Sequence, residues 1–339
     1  MKRYLVILIG FNILTSCMPA SNTSSLYPIK KNGLYSYIDK LGMEKYEDKY
    51  LYASRYVDNY AIVETLDKKV GVLNLDGEII IIDNAQRGKE FSDGLAQILI
   101  NNKWGYIDTS GHLIIQPQYA EASRFSEGLA VVKDNTEKKI KGYCFINKKN
   151  EIVFTAGYSF ALPFSEGFAL VERDDKLCFL KQDGGLLQID QNLVDGMSFS
   201  NDLAAVSIIK NDSNLWGYVD RSGEFIIKPE YQYADSFFDG YAVVKREDKY
   251  LVINKNNSVL FFLNADVAYS PHEGMIRIKK NDKWWFVNMD GEIVNDEGFM
   301  WCDDFTNGMA IIEKQEVTEN GTLQVSGCIF LDGRVVWGR

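Results

Sequence analysis

Lys103-Trp104-Gly105-Tyr106-Ile107-Asp108, followed by Leu113-Ile114-Ile115, Pro117, Tyr119 and Phe125-Ser126-Glu127-Gly128-Leu129-Ala130-Val131-Val132, decides the fold. Trp104, Tyr106 and Ile107 crowd aromatic and β-branched side chains into a short run, which favours an extended strand. Asp108-Thr109-Ser110-Gly111 comes next: Asp opens turns by accepting backbone amides two residues on, and Gly tolerates positive φ. Leu113 to Ile115 reads as a second strand, so the pair forms a hairpin, and Pro117 suits a strand end. A link then leads to Phe125, Gly128 and a third strand, Leu129 to Val132.

The same spacing recurs in both directions. An Asp or Asn precedes a Gly, or its stand-in, by twenty residues at Asp39–Asn59, Asn74–Gly94, Asp108–Gly128, Asn147–Gly167, Asp220–Gly240, Asn254–Gly274 and Asn288–Gly308, and Lys181–Asp202 is one longer. Four residues before the Asp/Asn position stand Tyr35, Val70, Trp104, Tyr143, Leu177, Trp216, Tyr250 and Trp284. The residue after each is mostly small, and Tyr37, Val72, Tyr106, Phe145, Phe179, Tyr218, Val252 and Phe286 come next. Alanine dominates the second residue of the third strand, which implies close approach of neighbouring backbone. A strict period of this kind is one supersecondary unit copied in tandem.

The expectation is an all-β chain of tandem repeats, about 35 residues and three short strands each, stacked as a β-solenoid or superhelix. A closed β-propeller is the alternative; three strands per unit would invert the next blade unless the link supplies a fourth crossing. The domains expected are 1–17 signal peptide, 18–29 polar linker, and 30–339 β domain with eight repeats and a degenerate hairpin around Gly327 to Val336.

The motif Lys103 to Asp108 with Phe125 to Val131, and its near twin Trp216-Gly217-Tyr218-Val219-Asp220 with Phe237 to Val244, resembles the WG (KWG) repeat of bacterial proteins. The resemblance extends over about residues 30–312, although the copies beginning at Tyr143, Leu177 and Tyr250 lack the Trp-Gly pair. It implies a β-rich binding or scaffold array and brings no catalytic residues with it.

At the N-terminus Lys2 and Arg3 precede the apolar run Tyr4 to Leu14, too short to span a bilayer and arranged like an export signal. Leu14-Thr15-Ser16-Cys17 resembles the lipobox of bacterial lipoproteins, which implies cleavage before Cys17 and lipidation of that thiol. Met18 after the cysteine, rather than Asp, goes with outer-membrane sorting in many double-membrane bacteria. Asp and Glu number 47 against 37 Lys and Arg, a net charge of −10, which argues against nucleic acid as a partner. Membrane contact is expected through the lipid anchor alone.

Chemistry is sparse. His112 and His272 are the whole histidine supply and read as loop residues. No catalytic motif, metal-spaced cysteine pair or phosphate loop appears, so no enzyme activity, cofactor or metal is expected. Asp93, Glu127, Glu166, Asp239 and Glu273 precede the Gly position; they could line up as an oxygen-rich ridge for Ca²⁺, or serve the turn itself. Cys144 and Cys178 occupy matching positions, either as a cross-repeat disulfide or as small residues replacing Gly. Candidate ligand-binding residues are Trp104, Tyr106, Trp216, Tyr218, Trp284 and Phe286, whose faces could stack on sugars. Repetition of these rings also suits a core, because every copy needs the same packing. The function expected is a lipid-anchored, non-enzymatic envelope scaffold binding a protein partner, with a glycan- or cell-wall-binding module as the alternative.

Overall fold

A computed structural model describes residues 26–339 except 32, 48, 135–141, 190, 319–320 and 338–339. The expected signal peptide, Cys17 and most of the polar linker lie outside the described residues; the linker's last residues open the first strand, Tyr27–Lys31.

The chain is all-β, and the solenoid expectation is overturned in favour of a propeller arrangement. Six sheets of three or four strands are self-contained blades. A seven-stranded sheet runs two further blades together through the long strand Leu113–Ala122, and the hairpin Tyr27–Lys31/Leu34–Ile38 completes the set. The reason is a short crossing hidden in the link. Tyr52–Ala53, Phe160–Ala161, Asp195–Gly196, Tyr233–Ala234, Val267–Ala268 and Trp301–Cys302 each pair antiparallel with the strand after the Gly position. These two-residue strands restore an even crossing number, so successive blades keep the same direction. In Tyr52–Ala53, Ala61–Glu64, Val70–Leu73, Ile79–Ile81 the four crossings run in sheet order. Each sequence repeat therefore supplies the third and outer strands of one blade and the first and second of the next.

Local chemistry explains the period. The Asp39, Asn74, Asp108, Asn147, Asp220, Asn254 and Asn288 Oδ1 atoms each accept the amides two and four residues on, closing the turn before the outer strand. At the other turn, Glu127 (φ 54) and Gly128 (φ 80) are both left-handed, as a two-residue type I′ hairpin requires. Asn59 and Asp202 stand in for Gly there with φ 70 and 66, and Asn and Asp tolerate that region best among other residues. Gly217, in the Trp-Gly pair, is needed for a different reason. A Cβ there would collide with the Ile227 carbonyl oxygen and lie 2.7 Å from Pro229 N of the outer strand. Gly105 meets Ile115 and Pro117 in the same way.

The core lies between blades. Tyr106 packs on Phe125 at 4.7 Å, Phe145 on Phe164 at 5.1 Å, Tyr218 on Phe237 at 4.7 Å and Phe286 on Phe305 at 4.9 Å, all nearly edge-on. Each pair joins the third strand of one blade to the loop of the next. The Tyr37, Tyr106 and Tyr218 hydroxyls donate to the carbonyls of Ser54, Ser123 and Asp235 across the same junctions. Apolar clusters occupy successive junctions, and one of them joins the ends: Ile29 and Ile38 pack with Met309, Cys328 and Phe330. Arg55 is ion-paired with Asp303, and the Tyr27 hydroxyl donates to the Asn307 carbonyl at 2.6 Å. The ring is thus closed by its first hairpin against its last blade.

Cys144 and Cys178 form no disulfide with each other; Cys144 is buried in one junction and Cys178 part-buried against the next. The disulfide alternative is set aside; both act as small residues in place of Gly.

Candidate functional site: an aromatic ladder

Register fixes where the repeated rings end up. Tyr233 pairs with Lys245, which pairs with Tyr250; Val267, Lys279 and Trp284 align likewise, as do Trp301, Glu313 and Ser326. These positions lie at the end of each blade away from the Asx turns. There Trp216 meets Tyr233 at 6.4 Å, Tyr233 meets Tyr250 at 6.4 Å, and Tyr269 stacks on Trp284 at 6.0 Å. The Arg277 guanidinium lies 4.4 Å from the Tyr269 ring centre and 5.1 Å from that of Trp284. It is ion-paired with Asp304 at 2.9 Å and donates to the Cys302 carbonyl at 3.0 Å. Burial raises the Tyr233 hydroxyl pKa well above its ordinary value, with Asp235, Tyr269 and Tyr250 adding to it. The Tyr250 hydroxyl is also raised, again chiefly by burial, while Lys245 opposes the shift.

Three blades therefore contribute to one ladder of rings in two contacting groups, Trp216, Tyr233 and Tyr250, then Tyr269 and Trp284. Trp216 is nearly covered, and the other four are part-exposed. A part-exposed ring with a polar edge offers an apolar face and a hydrogen-bonding tip to a ligand.

Of the six residues expected to bind ligand, Trp216 and Trp284 meet on this ladder. Trp104 lies at another junction, part-exposed, with the Lys89 ammonium 4.8 Å from its ring centre. Burial, then Arg87, lowers the Lys89 pKa. Tyr106, Tyr218 and Phe286 are fully buried in the junction cores, where a ligand could reach them only by parting two blades. Tyr233 and Tyr269 were missed by sequence reasoning because they fall in the link, outside the aligned positions. The signal was there in Tyr-Gln-Tyr-Ala at 231–234, an alternation that continues past the expected strand end.

The carboxylates before the Gly positions take part in inter-blade turn bonding. Asp93 accepts the Gly128 amide, Glu127 that of Gly167, Glu166 those of Asn201 and Asp202, and Glu273 those of Asn307 and Gly308. Asn201 continues the chain to Gly240. Each of these four carboxylates fastens the next blade's turn, satisfying amides that a left-handed turn turns outward. Among the described residues no group of three or more His, Cys, Asp or Glu side chains is arranged to hold a metal ion. His112 lies by Asp108 at 3.5 Å and is largely exposed, while His272 packs on Phe238 at 4.1 Å.

Four stretches, residues 104–136, 143–176, 216–250 and 252–284, match the family model of the WG containing repeat. Two of them, 143–176 and 252–284, match without a Trp-Gly pair of their own. No curated protein matches the chain. Among solved structures, BamB from Moraxella catarrhalis is similar at 11% identity over 89% of this chain and 95% of its own, with a TM-score of 0.40. PorZ of Porphyromonas gingivalis, described as an essential bacterial surface component of the type-IX secretion system, is similar at 8% identity. That overlap covers 93% of this chain and 44% of PorZ, with a TM-score of 0.37. Hsv2 of Kluyveromyces lactis is similar at 9% identity over 78% of this chain and 94% of its own, with a TM-score of 0.35.

Proposed function

We propose that the chain is a non-enzymatic binding propeller of the bacterial envelope, tethered by lipid on Cys17, whose ring-lined face takes a saccharide chain. The observation that carries this reading is the ladder from Trp216 to Trp284, where rings from three blades line up part-open beside tyrosine hydroxyls. Sugar rings present apolar C–H faces and hydroxyl edges, which part-exposed Tyr and Trp complement. Leu14-Thr15-Ser16-Cys17 supports the tether, since two or more acyl chains give stable anchoring. The full chain in detergent should be retained on immobilised peptidoglycan or neutral polysaccharide. A Tyr250→Ala/Trp284→Ala double variant with an unchanged circular dichroism spectrum should lose most of that retention. Equal retention of the variant would refute the ladder as the site. A Cys17→Ser chain that stays in the membrane fraction would refute the tether.

A second reading, an envelope scaffold for a protein partner, is favoured by the outer edge strands. Ile80, Ile226 and Phe262 are 47%, 52% and 66% exposed on them. An open edge with apolar side chains suits pairing with an added strand.

A further inference from the structure

The blade that closes the ring breaks the repeat pattern at one position. Ser326 pairs with Glu313 in the register where Tyr250 pairs with Lys245 and Trp284 with Lys279. Gly327 follows it, and a Cβ there would meet the Val336 carbonyl oxygen of the outer strand, so this is the Trp-Gly position with its ring replaced by a hydroxymethyl group. The space is not refilled. A cleft of about 220 Å³ opens at the seam, lined by Ser326, Glu313 and Trp301 of the last blade and by Lys30, Tyr35 and Tyr52 of the first units, with Glu90 at its edge.

We infer that this seam cleft is a subsite for one uncharged pyranose ring, such as the end of a neutral saccharide chain. The inference rests on the saccharide reading above and names the class of sugar and a separate place for it.

Three features converge on that ligand. Tyr35 and Tyr52 stand edge-to-face at 6.2 Å, and Trp301 is 42% exposed, so aromatic surface borders the space. Glu313 accepts from Gln324 and, at 3.4 Å, from Ser326, which holds one carboxylate in place at the wall. Glu313 raises the Tyr35 hydroxyl pKa after burial does, and the Tyr52 hydroxyl is pushed up to about 12, by burial first and Glu90 second. Both carboxylates line the cleft together with these phenols. Carboxylates are strong acceptors for hydroxyl donors, and a sugar's hydroxyls supply them.

Charge selects against an acidic ligand. Glu90 and Glu313 repel an acidic sugar. Lys30 Nζ lies 5.4 Å from the centre of the Tyr35 ring and offsets part of that negative charge. Arg55, also at the wall, is engaged by Asp303 and is not available for an anion. The volume lies below the roughly 300–1,000 Å³ of sites for drug-sized ligands, which suits a single ring.

The site also joins the two ends of the chain. A ligand that touches both sides of the seam binds only the closed ring, and it stabilises that state by mass action.

The test is a titration of the full chain in detergent with glucose, galactose and N-acetylglucosamine, read by tryptophan fluorescence and by the unfolding midpoint. Glucuronic acid serves as the charged control. At least one neutral sugar should raise the midpoint in a dose-dependent manner, and glucuronic acid should act at least tenfold more weakly. Ser326→Tyr restores the ring that most other copies carry, so it should keep the fold and abolish the effect. Glu313→Gln should weaken it at least fivefold. No shift with any neutral sugar, or an undiminished shift in Ser326→Tyr, overturns the subsite. If polysaccharide retention by the ladder persists in that case, the failure belongs to the cleft alone; loss of both removes the saccharide reading altogether.

Discussion

The Tyr218 hydroxyl donates to the Asp235 carbonyl at 2.6 Å, and the Asp235 carboxylate accepts the amides of Ser236 and Ser270. One residue thus links three consecutive segments, and all of it is buried. Tyr218→Phe should cost about 1 kcal/mol in chemical unfolding, the usual net worth of one such hydrogen bond. Burial pushes the Asp235 carboxyl pKa up, with Asp304 adding and the two amides opposing. A carboxyl whose folded pKa is raised disfavours folding once ionised. Stability from this group therefore falls as pH rises from about 4 through the raised value, and is level above it. Relative to wild type, Asp235→Asn should gain stability as pH climbs through that window; a pH-independent difference in unfolding midpoint would contradict the account. None of this was legible in the sequence, where Asp235 sits in an unaligned link. Tyr218, by contrast, was placed correctly on a strand by its spacing, although its burial removes it from the ligand surface expected for it.

At the scale of the element, two glycines that look alike in sequence do different things. Gly217 is required by contact, since a Cβ would press on the outer strand's backbone. Gly94 is required by conformation alone, with φ 79 and no atom within 4 Å of an added Cβ. Gly217→Ala should cost about 1–3 kcal/mol, as overpacking does, and no larger side chain should relieve it. Gly94→Ala should cost about 1–2 kcal/mol from the left-handed backbone. Gly94→Asn should recover most of that, as Asn59 does naturally at the matching place. Unfolding midpoints of the three variants separate the two causes. The hairpins were legible because Asx turns and alternating rings leave a strong local signature. The first strand of six blades was not, because two residues cannot display an alternation, and its pairing partner comes only after an intervening turn. That omission made three crossings out of four and led to the solenoid.

For the whole molecule, the decisive feature is the seam. Every other junction is crossed by the chain itself, whereas among the described residues the last blade and the first hairpin meet through side chains and packing. Arg55 with Asp303 and Thr306, Tyr27 with Asn307, and Arg334 with the Lys40 carbonyl span it. Cys328 lies in the apolar cluster beneath, its thiol pKa pushed up to about 12 by burial. A thiol reagent should modify part-exposed Cys178 well before Cys328 in the native protein. Arg55→Ala should speed modification of Cys328 without changing the rate at Cys144, which lies in a distant junction. Equal acceleration at both would mean global unfolding rather than seam opening. Closure could not be read from the sequence, because the surfaces that meet there belong to the least regular copies and share no motif.

Because each sequence copy straddles two blades, gaining or losing one whole copy recreates the same junction chemistry on either side of the change. The circumference can drift by single units over evolutionary time while every splice stays well packed, so long as both terminal pieces are inherited unaltered. Diversification of such a protein would then concentrate at its latch, where one serine already departs from the pattern that its siblings keep.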